Sequence, residues 1–280
     1  MYSCFHSVGL PNHSLNEVVE LVANAGYSAV ELNAETLPWA NPHITPAASA
    51  DQRRELVDGC RTRGLTIPAV GAHIGMVSEE PDERAAAIKY VTGCIDLARD
   101  VGSPFVHVLS GAHASNVDRD EAWRWFIAAV ECACPYAEGL GIGFGIEAIA
   151  GQLFHRVDDY HRIMRDLPGL PIRVNFDPSH FEVQNENPLR VIDELGDQIR
   201  HVHLKDGKGI YPDFQFPPLG EGTIDFAGIA DGLESIGYEG AISVEYEAQV
   251  FGYVKADADI LDGGRKFCDA FRRRREENLS

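Results

Sequence analysis

His201-Val202-His203-Leu204-Lys205-Asp206 opens as a short strand-like run and ends in charge. The same unit recurs from one end of the chain to the other. Strand-like apolar runs occupy residues 4–8, 29–32, 66–71, 105–109, 142–146, 172–176, 201–204 and 241–244. Helical patterns separate them, among them residues 14–25, 46–63, 82–100, 118–138, 225–236 and 257 to about 274.

Eight βα units in 280 residues average 35 residues each, and no Pro/Ser-rich linker or compositional break divides them. The expected fold is therefore α/β, a single (β/α)8 barrel over residues 1–280. A doubly wound open sheet fits less well. Its Gly-x-Gly-x-x-Gly turn after the first strand is replaced by Gly9-Leu10-Pro11-Asn12-His13. Helix ends carry their own signals. Ser14 with Glu17 is a capping-box pattern, Gly26, Gly64 and Gly102 stand where C-terminal glycines belong, and Asp225 suits an N-cap.

The formal charge is −19, from 24 basic and 43 acidic residues, so the average surface repels phosphate backbones and anionic lipids. Neither nucleic acid nor membrane is an expected partner. The first Lys or Arg is Arg53, which leaves no basic leader, and no uncharged apolar stretch is long enough for a membrane span. A cytoplasmic protein is expected. The six cysteines read as reduced packing residues, and the basic run Arg272 to Arg275 as helix-end charge.

In a parallel barrel the C-terminal strand ends converge on one rim, so the residues that end each run decide the chemistry. In order they are His6, Glu31 with Asn33, His73, His107, Glu147, Asp177 with His180, His203 with Lys205, and Glu245 with Glu247. Imidazoles and carboxylates facing one another are electrostatically costly without a cation among them. That points to a divalent metal. An oxygen-rich set with one nitrogen favours Mn²⁺ or Mg²⁺, with Co²⁺ and Zn²⁺ as further options.

These residues carry a resemblance to the sugar phosphate isomerase/epimerase family, the xylose isomerase-like TIM barrels. The matching segments are Ala29-Val30-Glu31-Leu32, Gly145-Ile146-Glu147, Asn175-Phe176-Asp177-Pro178-Ser179-His180, His201 to Asp206, Leu219-Gly220-Glu221-Gly222, and Ser243-Val244-Glu245-Tyr246-Glu247, in the family's order. The resemblance implies a (β/α)8 TIM barrel in which Glu147, Asp177, His203 and Glu245 bind one divalent ion, Mn²⁺ first. Glu147 and Glu245 would also act as acid and base, His180 would contact the substrate, and the substrate would be a small polyhydroxylated ketone turned over through an enediolate. Whether the protein is a homo-oligomer stays open.

The resemblance also carries alternatives. Lys205, in a motif shared with inosose dehydratases, could bind a substrate oxygen or assist a departing hydroxide, which would make the enzyme a lyase. A non-catalytic sugar-binding barrel and an endonuclease IV-type enzyme are further readings. The second lacks a histidine in Tyr211-Pro212-Asp213-Phe214-Gln215-Phe216, where that type carries one. Ala148 to Phe154 and Gly207 to Gly209 also lack the second glutamate and the arginine of tagatose- and psicose-type epimerases.

The remaining candidates have two readings each. His6, His73 and His107 either touch substrate or pack, and Glu31 either serves function or closes the barrel floor with a salt bridge. Glu245 and Glu247 share a strand face, so periodicity does not separate them. Trp39, between prolines in the loop after the second run, and Phe214 with Phe216 after the seventh, would cover the site or cap the barrel. His13, His43, His155, His161 and His201 read as surface or structural.

Overall fold

The computed structural model describes residues 1–278, with side chains to Arg272, so most of the basic run Arg272 to Arg275 lies outside the described side chains. Eight parallel strands close on themselves: β1 (Tyr2–His6), β2 (Ala29–Asn33), β3 (Val70–Gly71), β4 (Phe105–Val108), β5 (Gly143–Glu147), β6 (Ile172–Phe176), β7 (Ile199–Leu204) and β10 (Ala241–Val244). Their order around the barrel is the order in the chain, with β10 pairing β1 in register Tyr2 to Ala241. This is the expected (β/α)8 TIM barrel.

The outer layer is helical. It comprises α1 (Leu15–Asn24), α2 (Ala50–Thr62), α3 (Pro81–Val101), α4 (Arg119–Gly139), α5 (Val157–Asp166), α6 (Pro178–Glu182), α7 (Leu189–Leu195), α8 (Phe226–Ser235) and α9 (Asp257–Asn278). The expected caps form. Ser14 accepts from the Glu17 amide while Glu17 returns to the Ser14 backbone, and Asp225 accepts from Gly228 N–H. Gly26, Gly64 and Gly102 all take positive φ, 72° to 81°, where a Cβ would be strained.

Three differences from the sequence reading have local causes. The third strand is only Val70–Gly71, with an isolated bridge from Thr66 to Ala29, because Pro68 has no N–H to donate to the ladder. Helices α5, α6 and α7, absent from the stretches read as helical, are short, at ten residues or fewer. The turn after β7 is an antiparallel hairpin, β8 (Lys208–Ile210) with β9 (Asp213–Gln215). Among the described residues no helix is long and apolar enough to cross a membrane. All six cysteines are unpaired, and all but Cys132 are buried.

The apolar core fills the shell between strands and helices, with Phe5, Val30, Phe144, Phe176 and Val202 pointing outward into it. The barrel interior is different. Its N-terminal floor is a small plug of Cys4, Ala29 and Ala241. Two residues further along the same strands stand His6, Glu31 and Ser243, and two further along β10 stands Glu245, because side chains of a strand alternate between faces. The interior therefore turns polar within one pleat of the floor.

One apolar ring enters this interior. A Cβ placed on Gly145 would lie 2.2 Å from Phe105 Cζ, and one on Gly143 3.0 Å from Phe105 Cδ2. The glycine-rich stretch leading into β5 thus makes room for Phe105, whose ring stacks 6.2 Å from that of His107. Gly145→Ala is expected to cost about 1–3 kcal/mol through overpacking. A lowered urea midpoint with an unchanged slope checks this; an unchanged midpoint would show that Phe105 is not confined.

Candidate metal centre

The local sequence positions the rim residues. Asp177 precedes Pro178, which holds it extended, so β6 stops there and the Asp177 carboxylate caps α6 by accepting from Ser179 N–H at 2.8 Å. One helical turn then brings His180 Nε2 to 3.6 Å from Asp177 Oδ2. His201 and His203 of β7 and Lys205 just beyond its end share the inward face, as do Ser243, Glu245 and Glu247 along β10 and beyond its end.

Glu147, Asp177, His203 and Glu245 each present one ligand atom within 4.8 Å of the others, and all four are buried. His203 Nδ1 stands 3.4 Å from Glu147 Oε1 and 3.3 Å from Glu245 Oε2 yet has no hydrogen-bond partner. Asp177 Oδ2 likewise has no aligned hydrogen bond, although Lys205 Nζ lies 2.9 Å away as an ion pair. Three carboxylates and an imidazole nitrogen, with two polar atoms turned inward unpartnered, are a donor set that fits a divalent cation.

Each of the four is oriented from behind. Asn175 Nδ2 donates to Glu147 Oε2 at 2.9 Å, and Ser179 N–H holds Asp177. His203 Nε2 lies 3.0 Å from Glu31 Oε1, and His6 Nδ1 lies 3.0 Å from Glu245 Oε1. Such supporting bonds fix ligand rotamers and the imidazole tautomer.

Lys205 neutralises part of this charge. Its Nζ is 2.6 Å from Glu245 Oε2 and 3.0 Å from Glu247 Oε2, and lies over the Phe216 ring at 4.7 Å. Burial alone would lower its pKa, but Asp177, Glu245 and Glu247 carry it well above the usual lysine range. Burial would raise Glu147 and Glu245; the His203 imidazole, joined by Lys205 at Glu245, holds both well below the usual carboxylate range. Glu247 goes the other way, raised by burial and by its neighbour Glu245. The two glutamates that periodicity left equivalent thus differ: both reach Lys205, and Glu245 also faces His203.

A second layer joins the centre to the rim. His73 Nε2 is 3.2 Å from Glu147 Oε2, and its Nδ1 is 3.1 Å from Glu35 Oε2. Burial opposes charge on His73, yet Glu35 and Glu147 lift its pKa to about 10. His73 also lines a cavity of about 340 Å³ with Glu35, Thr36, Tyr90 and Gln152. His107 lies behind it, fully buried, with Nδ1 2.8 Å from His73 Nε2 and Nε2 2.7 Å from Glu31 Oε1. His180 stays neutral, pushed down to about 4 by burial and the Lys205 ammonium, and its ring meets Phe216 edge-on at 5.2 Å.

The structure brings all but one of the sequence-derived site residues to one region. Trp39 is half-buried in a loop closed by the Leu37–Ala40 bridge and does not line the cavity beside His73. Asn175, Ser243 and Glu35 entered the site unannounced. For Asn175 and Ser243 a signal existed, since each stands two residues before a rim residue on the same strand face.

The Leu219-Gly220-Glu221-Gly222 motif acquires a physical meaning beside Asp206. Its carboxylate accepts from the backbone N–H of Gly207, Gly220 and Gly222 at 2.8–2.9 Å, and a Cβ on Gly222 would stand 2.1 Å from Asp206 Oδ1. This staples the loop behind Lys205. Asp206→Ala should strand those amides at a cost of about 1–3 kcal/mol. Hydrogen exchange at Gly207, Gly220 and Gly222 should accelerate, and unchanged protection would contradict the staple.

A family model described as a xylose isomerase-like TIM barrel matches residues 19–269. The D-psicose 3-epimerase of Ruminiclostridium cellulolyticum is 23% identical over 257 residues, which cover 86% of this chain and 81% of that protein. Among solved structures, a D-tagatose 3-epimerase-like protein superposes with a TM-score of 0.83 at 21% identity, covering 100% of both chains. The IOLI protein with a binding zinc atom superposes with a TM-score of 0.79 at 18% identity, over 97% of this chain and 98% of that one.

Proposed function

Because the chain belongs to the xylose isomerase-like TIM-barrel family, we propose that it is a metal-dependent isomerase or epimerase of a small polyhydroxylated ketone, acting through an enediolate. One observation carries the reading: four buried ligand atoms converge within 4.8 Å, with His203 Nδ1 unpartnered among them. Glu147, Asp177, His203 and Glu245 would hold one divalent ion, Mn²⁺ first, with Mg²⁺, Co²⁺ and Zn²⁺ as alternatives. Such an ion supplies Lewis-acid polarisation of a carbonyl and stabilises the negative charge of deprotonation.

The protein groups supply the rest. Glu147 and Glu245 come from strands separated by β6 and β7, so they approach a bound substrate from different directions. Either carboxylate can accept a proton from a carbon beside the carbonyl, and the other can return one. Return at the same carbon from the opposite face inverts it; return at the adjacent carbon isomerises the sugar. His180, beside Asp177, and Lys205 would bind substrate oxygens, with Phe216 packed on both.

Glu147→Gln and Glu245→Gln should each lower kcat by at least about 100-fold while the circular dichroism spectrum stays native. Chelator treatment should abolish turnover, and Mn²⁺ should restore it. Full activity in both variants, or in the chelated enzyme, would overturn the reading.

The charge around the site narrows the substrate. Asp177, Glu245 and Glu247 all lie within 3.0 Å of Lys205 Nζ, so the ammonium of the site is already paired with carboxylates. A phosphate would find no uncommitted lysine ammonium there. A free ketose or keto-cyclitol should therefore show kcat/KM at least about tenfold above its phosphorylated counterpart, corresponding to about 1.4 kcal/mol.

A second reading rests on Lys205. Its ammonium, 2.6 Å from Glu245 and 3.4 Å from His180 Nε2, would protonate a departing hydroxyl as Glu147 takes the proton from the adjacent carbon, which would make the reaction a dehydration. Product mass separates the two, because isomerisation leaves it unchanged and dehydration lowers it by one water.

A further inference from the structure

At the centre of the barrel, one pleat above the apolar floor, the Glu31 carboxylate is completely buried and hydrogen-bonded on both oxygens. Oε1 receives His107 Nε2 at 2.7 Å and His203 Nε2 at 3.0 Å; Oε2 receives His201 Nε2 at 2.8 Å and Ser243 Oγ at 2.5 Å. These partners come from β4, β7 and β10, so one side chain of β2 ties together strands from around the barrel. Packing does not require a carboxylate at this place; an apolar side chain would extend the floor at lower desolvation cost.

An ionised carboxylate only accepts. Each imidazole nitrogen hydrogen-bonded to Glu31 must then carry its proton, and in a neutral ring the other nitrogen is left as a lone pair. For His203 that other nitrogen is Nδ1, which faces Glu147 and Glu245 and has no hydrogen-bond partner. For His107 it is Nδ1 as well, which accepts from Asn175 Nδ2 at 3.2 Å and lies 2.8 Å from His73 Nε2. One carboxylate thus orients the imidazole of the centre and the histidine pair that leads toward Glu35.

We propose that Glu31 is a positioning residue that fixes the Nε2–H tautomer of His203 and so presents its Nδ1 to the divalent ion, without itself being a ligand. The inference rests on the metal reading above. Glu31→Gln keeps the shape, but its amide brings two donors into a ring of donors, so at least one histidine must turn or change tautomer. Loss of such a supporting bond typically weakens metal binding by about 10- to 100-fold.

The test measures Zn²⁺ and Mn²⁺ affinity by competition with a chelator for the full chain and for Glu31→Gln. Long-range ¹H–¹⁵N spectra of the histidine rings in the Zn²⁺-loaded protein accompany it. The expected result is tight binding by the unaltered protein, with His203 protonated at Nε2 and metallated at Nδ1, and at least tenfold weaker binding by the variant. Equal affinities, or a His203 metallated through Nε2, would overturn the role of Glu31 while leaving the metal centre standing. No binding by the unaltered protein would overturn the metal reading and this inference with it. Should Glu31→Gln not fold, the ring spectra of the unaltered protein decide alone, because the tautomer is observed there directly.

Discussion

Holding ionised carboxylates out of water is the constraint on which the rest of this barrel depends. Each buried ion costs several kcal/mol unless its lone pairs are satisfied by donors or cations. Glu31, Glu147, Asp177 and Glu245 all lie inside the barrel, and nearly every interior position above the floor answers to one of them. His107, His201, His203 and Ser243 serve Glu31; Asn175 and His73 serve Glu147; His6 and Lys205 serve Glu245. The core that would usually be filled by branched apolar side chains is here a hydrogen-bonded one.

Such a network is sensitive to small displacements, and the surrounding structure limits them. Phe105 closes the space beneath the histidines, which is possible because β5 carries glycine at positions 143 and 145. Above, Asp206 fastens the loop behind Lys205, while Phe216 packs on both His180 and Lys205. The centre is thus enclosed by an aromatic ring below, an aromatic ring above and a stapled loop at the side. Side chains on strand ends, braced in this way, are held close to one geometry.

Strand order, the polar rim and the caps were legible because they depend on local rules. Apolar runs, helix-start carboxyls and C-terminal glycines operate within a few residues, and the parallel barrel follows from repeating them eight times. Where a local rule was overridden, the cause was also local: Pro68 shortened β3, and helices α6 and α7, of five and seven residues, offer too few turns to show a clear period. The partners of Glu31 were not legible. They lie 76, 170, 172 and 212 residues away, and nothing near Glu31 names them.

The sequence by itself determined which residue types stand at the strand ends, the alternation that turns them inward, and the acidic balance that sets their company. It left Glu245 and Glu247 equivalent, and Glu31 suspended between function and a floor salt bridge. Tertiary structure decided those points, because a closed barrel brings side chains from distant strands within 3 Å and makes each carboxylate's protonation and partner a property of the whole ring. Alternation is a property of one strand; which side chains meet is a property of the closed barrel.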